Sequence, residues 1–388
     1  MITTDGFCKK EYGEKLYRLS FNAHMGCPNR GGPVAVSSGR GCIFCSEGGS
    51  GEFAVDITGD TDHDIKLAID KVSKKFKGRH YIAYFQAYSN TYAPVDELRK
   101  LYMDFVNRDE IAVLAIATRP DCLDEDKYVL LEELNRIKPV WVELGLQTVK
   151  PESVSYIRRG YDNEAYDRAV RRLYSMGIHT ITHVILYLPG ETKQDMLNTV
   201  RHIAKLAAVN GKYHSAGIKF SMLNVLKGTD LYDEYTKAPF YLPELEEYGD
   251  TLNECLNLLP ENIVVHRLCS DPPKKLLVAP SWVADKKRVH NYLNELIDPP
   301  EDYYVYIIRC NDNTLYTGVA RNVDKRFREH QNGRGAKYTR SHHPVEIVYT
   351  EKVRGKGRAL KREYEIKQLS RSQKLDLIKK RKYETGAE

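Results

Sequence analysis

The 388-residue chain has no uninterrupted apolar run approaching the ~18 residues that a membrane span needs. Its N-terminus lacks a basic stretch followed by an apolar core, so no secretory leader is expected and the chain reads as cytoplasmic, with no membrane partner. Cysteine is sparse. Eight residues in a chain of this length, without such a leader, argue against a disulfide scaffold. Internal repeats and low-complexity tracts are also missing. With 42% hydrophobic and 29% charged residues, disorder is excluded as the main theme, and the length implies two or more domains.

Charge is unevenly placed. From Glu301 onward 21 Lys and Arg face 12 Asp and Glu, a net of +9, whereas the preceding 300 residues carry 38 against 41, a net of −3. A basic segment of this kind suits a nucleic-acid phosphate backbone, although a solvated surface would look the same. Pro299-Pro300 marks a boundary, because proline resists continuing a helix. The expected domains are residues 1–298 and 302–388.

Before that boundary, apolar strand patterns alternate with helical ones. Strands are expected at 15–21, 80–86, 111–117, 140–146, 178–188 and 216–223, with helices at 62–76, 95–106, 123–137, 164–176 and 192–209. Such alternation implies βαβ units and a parallel sheet, an α/β fold whose functional residues lie at the C-terminal ends of its strands. Beyond the boundary the order changes to a hairpin at 303–320, a short helix at 323–330, a strand at 345–353 and two helices, the second capped by Ser370. This is a small α+β unit.

Of the cysteines, Cys27, Cys42 and Cys45 crowd into one loop, while Cys8, Cys122, Cys255, Cys269 and Cys310 are scattered as buried small hydrophobes usually are. Two readings of the loop compete. A closed zinc site would take His24 or Cys8 as its fourth ligand. A [4Fe–4S] cluster on three thiolates leaves one iron open. Gly26, Gly31, Gly32, Gly39, Gly41, Gly48 and Gly49 suit a backbone wrapped closely round a bulky group, and a loop that opens a long βα series favours the cluster.

The long gap from Cys27 to Cys42, followed by the close Cys45, resembles the YhcC-type members of the radical SAM superfamily, relatives of the Elongator catalytic subunit. The resemblance covers residues 10–297. It includes Tyr84 to Tyr92, Thr118-Arg119-Pro120-Asp121, Glu143 to Thr148, Leu188-Pro189-Gly190-Glu191, and Lys227-Gly228-Thr229 with Leu231. It implies a partial (β/α) barrel, a [4Fe–4S] cluster, and S-adenosyl-L-methionine cleaved by one electron to a 5′-deoxyadenosyl radical. It also implies a reducing donor such as flavodoxin or ferredoxin. Gln86, Ser89, Asn90, Gln147 and Glu191 are then cofactor contacts. Two departures stand out: Tyr187 replaces a customary glycine, leaving the adenine contact open, and Arg158-Arg159-Gly160-Tyr161 replaces Asn-Arg-Gly-His, a change expected at the substrate mouth.

In the tail, Tyr306 and Tyr316 lie on adjacent strands, Arg326 and His330 share a helix face, and Glu363 lies on a later helix. Together they form the kit of a phosphodiesterase: a base, a cation and a carboxylate for a metal. The constellation resembles the GIY-YIG nuclease superfamily, in the small bacterial group typified by YhbQ, over residues 302–383. It implies Tyr316 as base or nucleophile-positioning group, Arg326 on the phosphate, His330 assisting proton transfer, and Glu363 on Mg²⁺ or Mn²⁺. The expected function is a radical SAM enzyme fused to a domain that binds and cleaves DNA or RNA. Two alternatives stay open: the tail is a non-catalytic module delivering nucleic acid to the barrel, or the barrel acts on a small molecule.

Overall fold

Seven strands carry the first part of the chain: β1 (Tyr17–Asn22), β2 (Tyr81–Phe85), β3 (Ile111–Thr118), β4 (Val140–Gln147), β5 (His179–Leu186), β6 (Ala216–Met222) and β7 (Val264–Arg267). In this computed structural model they lie side by side in chain order, every pairing parallel. Ile2–Thr3 extends the β7 edge and Val55–Asp56 the β1 edge. The sheet is the curled one of a partial (β/α) barrel. Helices α1 (Thr4–Tyr12), α2 (Thr61–Val72), α3 (Val95–Val106), α4 (Glu125–Ile137), α5 (Asn163–Ser175), α6 (Lys193–Ala208), α7 (Leu245–Asn257) and α8 (Lys286–Ile297) accompany it. The structure describes residues 1–30, 39–49, 51–74, 76, 78–208, 216–297 and 301–385. Gly31, Gly32 and the Pro299-Pro300 junction lie outside them.

The central strands are buried on both faces, which is why they read as continuous apolar runs: every residue of β2 is buried, whereas β1 alternates. Helix starts follow local chemistry. Asp60, Asp124 and Asp162 each accept a backbone N–H of the first turn, from His63 at 3.0 Å, Lys127 at 3.1 Å and Ala165 at 2.7 Å.

Contacts divide the chain into Met1–Leu296 and Ile297–Glu388. The second unit has an antiparallel sheet with β8 (Asp302–Cys310) between β9 (Leu315–Ala320) and β10 (Pro344–Arg354). Helices α9 (Val323–Gln331), α10 (Lys356–Gln368) and α11 (Arg371–Thr385) complete it. Val305, Ile307, Tyr349, Ala359, Ile366 and Ile378 form its own core. The hairpin turns at Asn313, whose φ of 62° is the left-handed conformation that asparagine tolerates.

Candidate functional site

Cys27, Cys42 and Cys45 follow β1, beyond its C-terminal end. Each is half-buried, and all eight cysteines are free thiols. Burial raises the Cys42 thiol and pushes Cys45 up to about 11. Each thiol of the trio would repel a neighbouring thiolate, so the three lie within electrostatic reach of one another. Donors converge on them. Asn29 Nδ2 lies 3.4 Å from Cys42 Sγ, and Arg119 Nη1 lies 3.9 Å from Cys27 Sγ. Arg30 Nη2 donates to the Cys45 carbonyl at 2.8 Å. Arg119 is buried and held by Asp121 through two hydrogen bonds of 2.9 and 2.7 Å.

Neither fourth zinc ligand joins this group. Cys8 belongs to an apolar cluster with Phe7 and Leu16, and His24 is exposed beside Asp56 at 3.5 Å. Among the described residues no three His, Cys, Asp or Glu side chains converge on a single metal ion. A cluster does not require that convergence, because each of its irons takes its own thiolate. Three thiols on one loop, with guanidinium and amide donors beside them, fit such a cluster.

The segment Arg158 to Tyr161, expected from the sequence at the substrate mouth and not at the cluster, borders the cysteines, with Cys42 Sγ 3.7 Å from the Arg158 carbonyl. Asn29 Nδ2 donates to the Arg158 carbonyl at 2.7 Å and the Arg159 carbonyl at 3.1 Å, and Tyr161 lies between the guanidiniums of Arg119 and Arg159. The segment after β2 packs on the cysteine loop as well. Ser89 N donates to the Gly26 carbonyl at 3.2 Å and Tyr88 N to Gly49 at 3.2 Å. A Cβ at Gly49 would come within 2.5 Å of the Tyr88 ring, so this glycine serves close approach between the two loops.

The proposed cofactor contacts are not all brought together. Gln86 and Gln147 line one cavity of about 880 Å³ inside the barrel. Ser89 and Asn90 are buried behind it, and Asn90 Nδ2 donates to the Ala87 and Ala117 carbonyls at 3.0 and 2.9 Å. Glu191 accepts from Thr148, and burial raises its carboxyl. Gln147 ends β4 at a register shift with a φ of 65°. Tyr187, just after β5, has the same φ of 65°. The customary glycine conformation therefore persists there with a tyrosine, whose hydroxyl lies 2.7 Å from Thr251 Oγ1. Left-handed non-glycine residues are strained, and of these two only Gln147 lines the cavity, Tyr187 pointing instead to the helix that carries Thr251.

Sequence reasoning missed the polar layer within the barrel. Glu143 is fully buried. It accepts from Arg18 Nη1 at 2.6 Å, Tyr84 Oη at 2.8 Å, His183 Nε2 at 2.8 Å and Lys219 Nζ. These cations hold its carboxyl well below the ordinary range, while burial lowers His183 to about 4. The signal was available: single charged residues interrupt the otherwise apolar strands VWVELGL and AGIKFSM.

In the tail all five expected residues meet. Tyr306 Oη lies 2.9 Å from His330 Nε2, and His330 Nδ1 lies 2.6 Å from Thr339 Oγ1, so the buried His330 has both ring nitrogens engaged. Burial pushes Tyr306 up to about 12 and raises Tyr316, and the charges of Arg326 and Glu363 reach both rings. A Cβ at Gly318 would lie 2.5 Å from Tyr306 Oη, which accounts for that glycine. Arg326 Nη1 pairs with Glu329 at 2.7 Å and Glu363 with Lys367 at 2.8 Å.

Comparison with known proteins agrees with both units. Residues 37–203 match the radical SAM superfamily, 215–298 the radical SAM C-terminal domain, and 302–376 the GIY-YIG catalytic domain. The chain is 36% identical to YtqA of Bacillus subtilis over 76% of this chain and 88% of that protein. It is 30% identical to YhcC of Escherichia coli, over 75% of this chain and 91% of that one. The tail is 54% identical to a UPF0213 protein of Staphylococcus epidermidis, over 20% of this chain and 95% of that protein. No helix among the described residues is long and apolar enough to cross a membrane.

Proposed function

We propose, since the chain belongs to the radical SAM superfamily and carries a GIY-YIG domain at its C-terminus, that it performs hydrogen-abstraction chemistry in the barrel and phosphodiester cleavage in the tail. The observation that carries the first half is the grouping of Cys27, Cys42 and Cys45, with Asn29 and Arg119 directed at two of the sulfurs. These thiolates would hold a [4Fe–4S] cluster. When bound, the cluster and S-adenosyl-L-methionine supply a 5′-deoxyadenosyl radical, with the electron coming from a flavodoxin- or ferredoxin-like donor in the cytoplasm. The chain's own part is to exclude water, to orient the cofactor through Gln86 and Gln147 at the cavity wall, and to stabilise the thiolates by the nearby cations. Ser89, Asn90 and Glu191 shape the loops behind these contacts. Anaerobic reconstitution should give one cluster whose EPR signal changes on adding S-adenosyl-L-methionine. Cys27→Ala, Cys42→Ala and Cys45→Ala should each lose it, and Cys122→Ala should keep it. Stoichiometric zinc without iron would sink the reading.

In the tail, Tyr316 would position or deprotonate the nucleophile, Arg326 would face the scissile phosphate, and Glu363 would hold Mg²⁺ or Mn²⁺, which needs few protein ligands. His330 acts on Tyr306, which it contacts, and so assists proton transfer from inside the fold. Glu363→Ala should abolish metal-dependent cleavage of DNA or RNA while binding persists. Arg326→Ala should slow it about 100- to 1000-fold. The second reading is a non-catalytic nucleic-acid-binding tail, which would need only the net basic charge of this segment. Binding with a strong salt dependence and no cleavage in any divalent metal would select it.

A further inference from the structure

The barrel cavity has a polar wall that the cofactor contacts leave unused. Arg18, His183, Lys219, His266 and Arg267 line it, from β1, β5, β6 and β7. His183 and Lys219 are register partners, as are Lys219 and Arg267, so these groups share one level of the barrel. Glu143, opposite Ile181 in the register, reaches this level through its side chain and is already engaged by Arg18 and Lys219. Arg267 is left over. Its Nη2 donates to Ser221 Oγ at 2.5 Å and its Nε approaches the Phe220 carbonyl at 3.4 Å. Among the described residues no carboxylate forms an ion pair with it.

Charge does not balance at this level. Two guanidiniums, Arg18 and Arg267, face one carboxylate, Glu143, before Lys219 is counted. Of the carboxylates elsewhere on the cavity wall, Asp5 pairs with Lys15 at 2.6 Å, Asp271 pairs with Lys286, and Glu52 accepts from Ser46 without forming an ion pair with Arg267. A half-buried cation without a counter-charge, beside a cavity of about 880 Å³, is relieved by an anionic ligand. Nearby on the same wall, Asn224 Oδ1 is buried and without a hydrogen-bond partner, while its amide donates to Ser270 Oγ at 2.7 Å. That oxygen calls for a donor from the ligand.

We propose that the barrel's substrate carries a carboxylate or phosphate that enters this cavity and pairs with Arg267, beside Lys219. The assignment rests on the barrel cavity being the reaction chamber. The planar guanidinium fork suits bidentate binding of either anion, whereas Lys219 contributes a point charge.

The test is calorimetric titration of the full chain, without iron, with sodium phosphate and separately with sodium acetate and succinate at constant ionic strength. One saturable component should disappear or weaken about 10- to 100-fold in Arg267→Gln, the loss expected for a charge-assisted hydrogen bond. Whichever anion fills that component more tightly identifies the group that Arg267 accepts, and its persistence with S-adenosyl-L-methionine present assigns it to the substrate, while its loss would overturn that assignment. Arg267→Lys should retain part of the affinity, and Ser221→Ala, which loosens the guanidinium without removing it, should weaken it a few-fold, a second reading should Arg267→Gln misfold. Arg288→Gln, whose side chain is exposed and pairs with Glu246, should change nothing. Identical titrations of wild type and a folded Arg267→Gln would overturn the site. Reductive cleavage of S-adenosyl-L-methionine by the reconstituted wild type is scored separately. Cleavage without an Arg267-dependent anion component overturns this inference alone. The anion component without cleavage supports the site and overturns the radical chemistry.

Discussion

Glu143 shows how one side chain organises the barrel interior. It accepts from four donors on four different strands, so its charge ties the sheet together across its width. Glu143→Gln leaves Arg18 and Lys219 without their counter-charge and should cost about 3 kcal/mol in denaturant unfolding, the scale for breaking a buried pair. The pH dependence follows from two groups with the same sign. Glu143 has a depressed folded-state value, so its stabilisation is present above the unfolded value near 4.3 and is lost as pH falls through the folded one. His183 stays neutral in the fold down to about 4 but protonates near 6.5 when unfolded, so stability also declines as pH falls through that window. Thermal unfolding should show Tm falling from pH 7 to 4 through His183 and falling further below pH 4 through Glu143, and a flat profile in either window would contradict the corresponding assignment.

At the scale of elements, caps and strand ends carry the argument. Asp162 accepts the Ala165 N–H at 2.7 Å and starts α5, whose Tyr166, Ala169, Val170 and Leu173 are buried. Asp162→Ala should destabilise the first unit by about 1 kcal/mol, read as a lower urea midpoint with unchanged slope. The βα alternation was legible because the central strands are buried on both faces and the helices between them carry an apolar stripe. Val95–Val106 coincides with its expected limits, and Ser370 does cap the last helix, accepting from Gln373 N at 3.3 Å. Less was legible where periodicity is short. Thr4–Tyr12 begins only a few residues into the chain, and Val264–Arg267 offers four residues with no alternation to read. The β5 strand stops at Leu186, earlier than its apolar run suggests, because Tyr187 turns left-handed. For the site, cysteine spacing exposed the loop and tyrosine spacing the tail. Neither could show Arg119 beside the Cys27 sulfur, 92 residues away in sequence, nor which of the polar residues within the loop turns toward Cys42.

For the whole molecule, the division at Leu296 and Ile297 coincides with the change in charge from net acidic to net basic. Each unit has its own apolar cluster, Phe7, Ile82, Val113 and Trp141 in the first and Val305, Ile307 and Ile366 in the second. Limited proteolysis should cut near residues 297–303 and release two fragments that each unfold cooperatively. A tail fragment without a transition would count against independent domains.

The hydrogen bonds from Asn29 to the carbonyls of Arg158 and Arg159 span 129 and 130 residues of sequence. They impose an order on assembly. The loop that presents the sulfurs gains its final shape only after β2, β3 and β4 have been laid down and the chain beyond them has folded back. Closing so long a span is a late and entropically costly step. The surroundings of the sulfurs are thus complete only when these two distant stretches of chain have met.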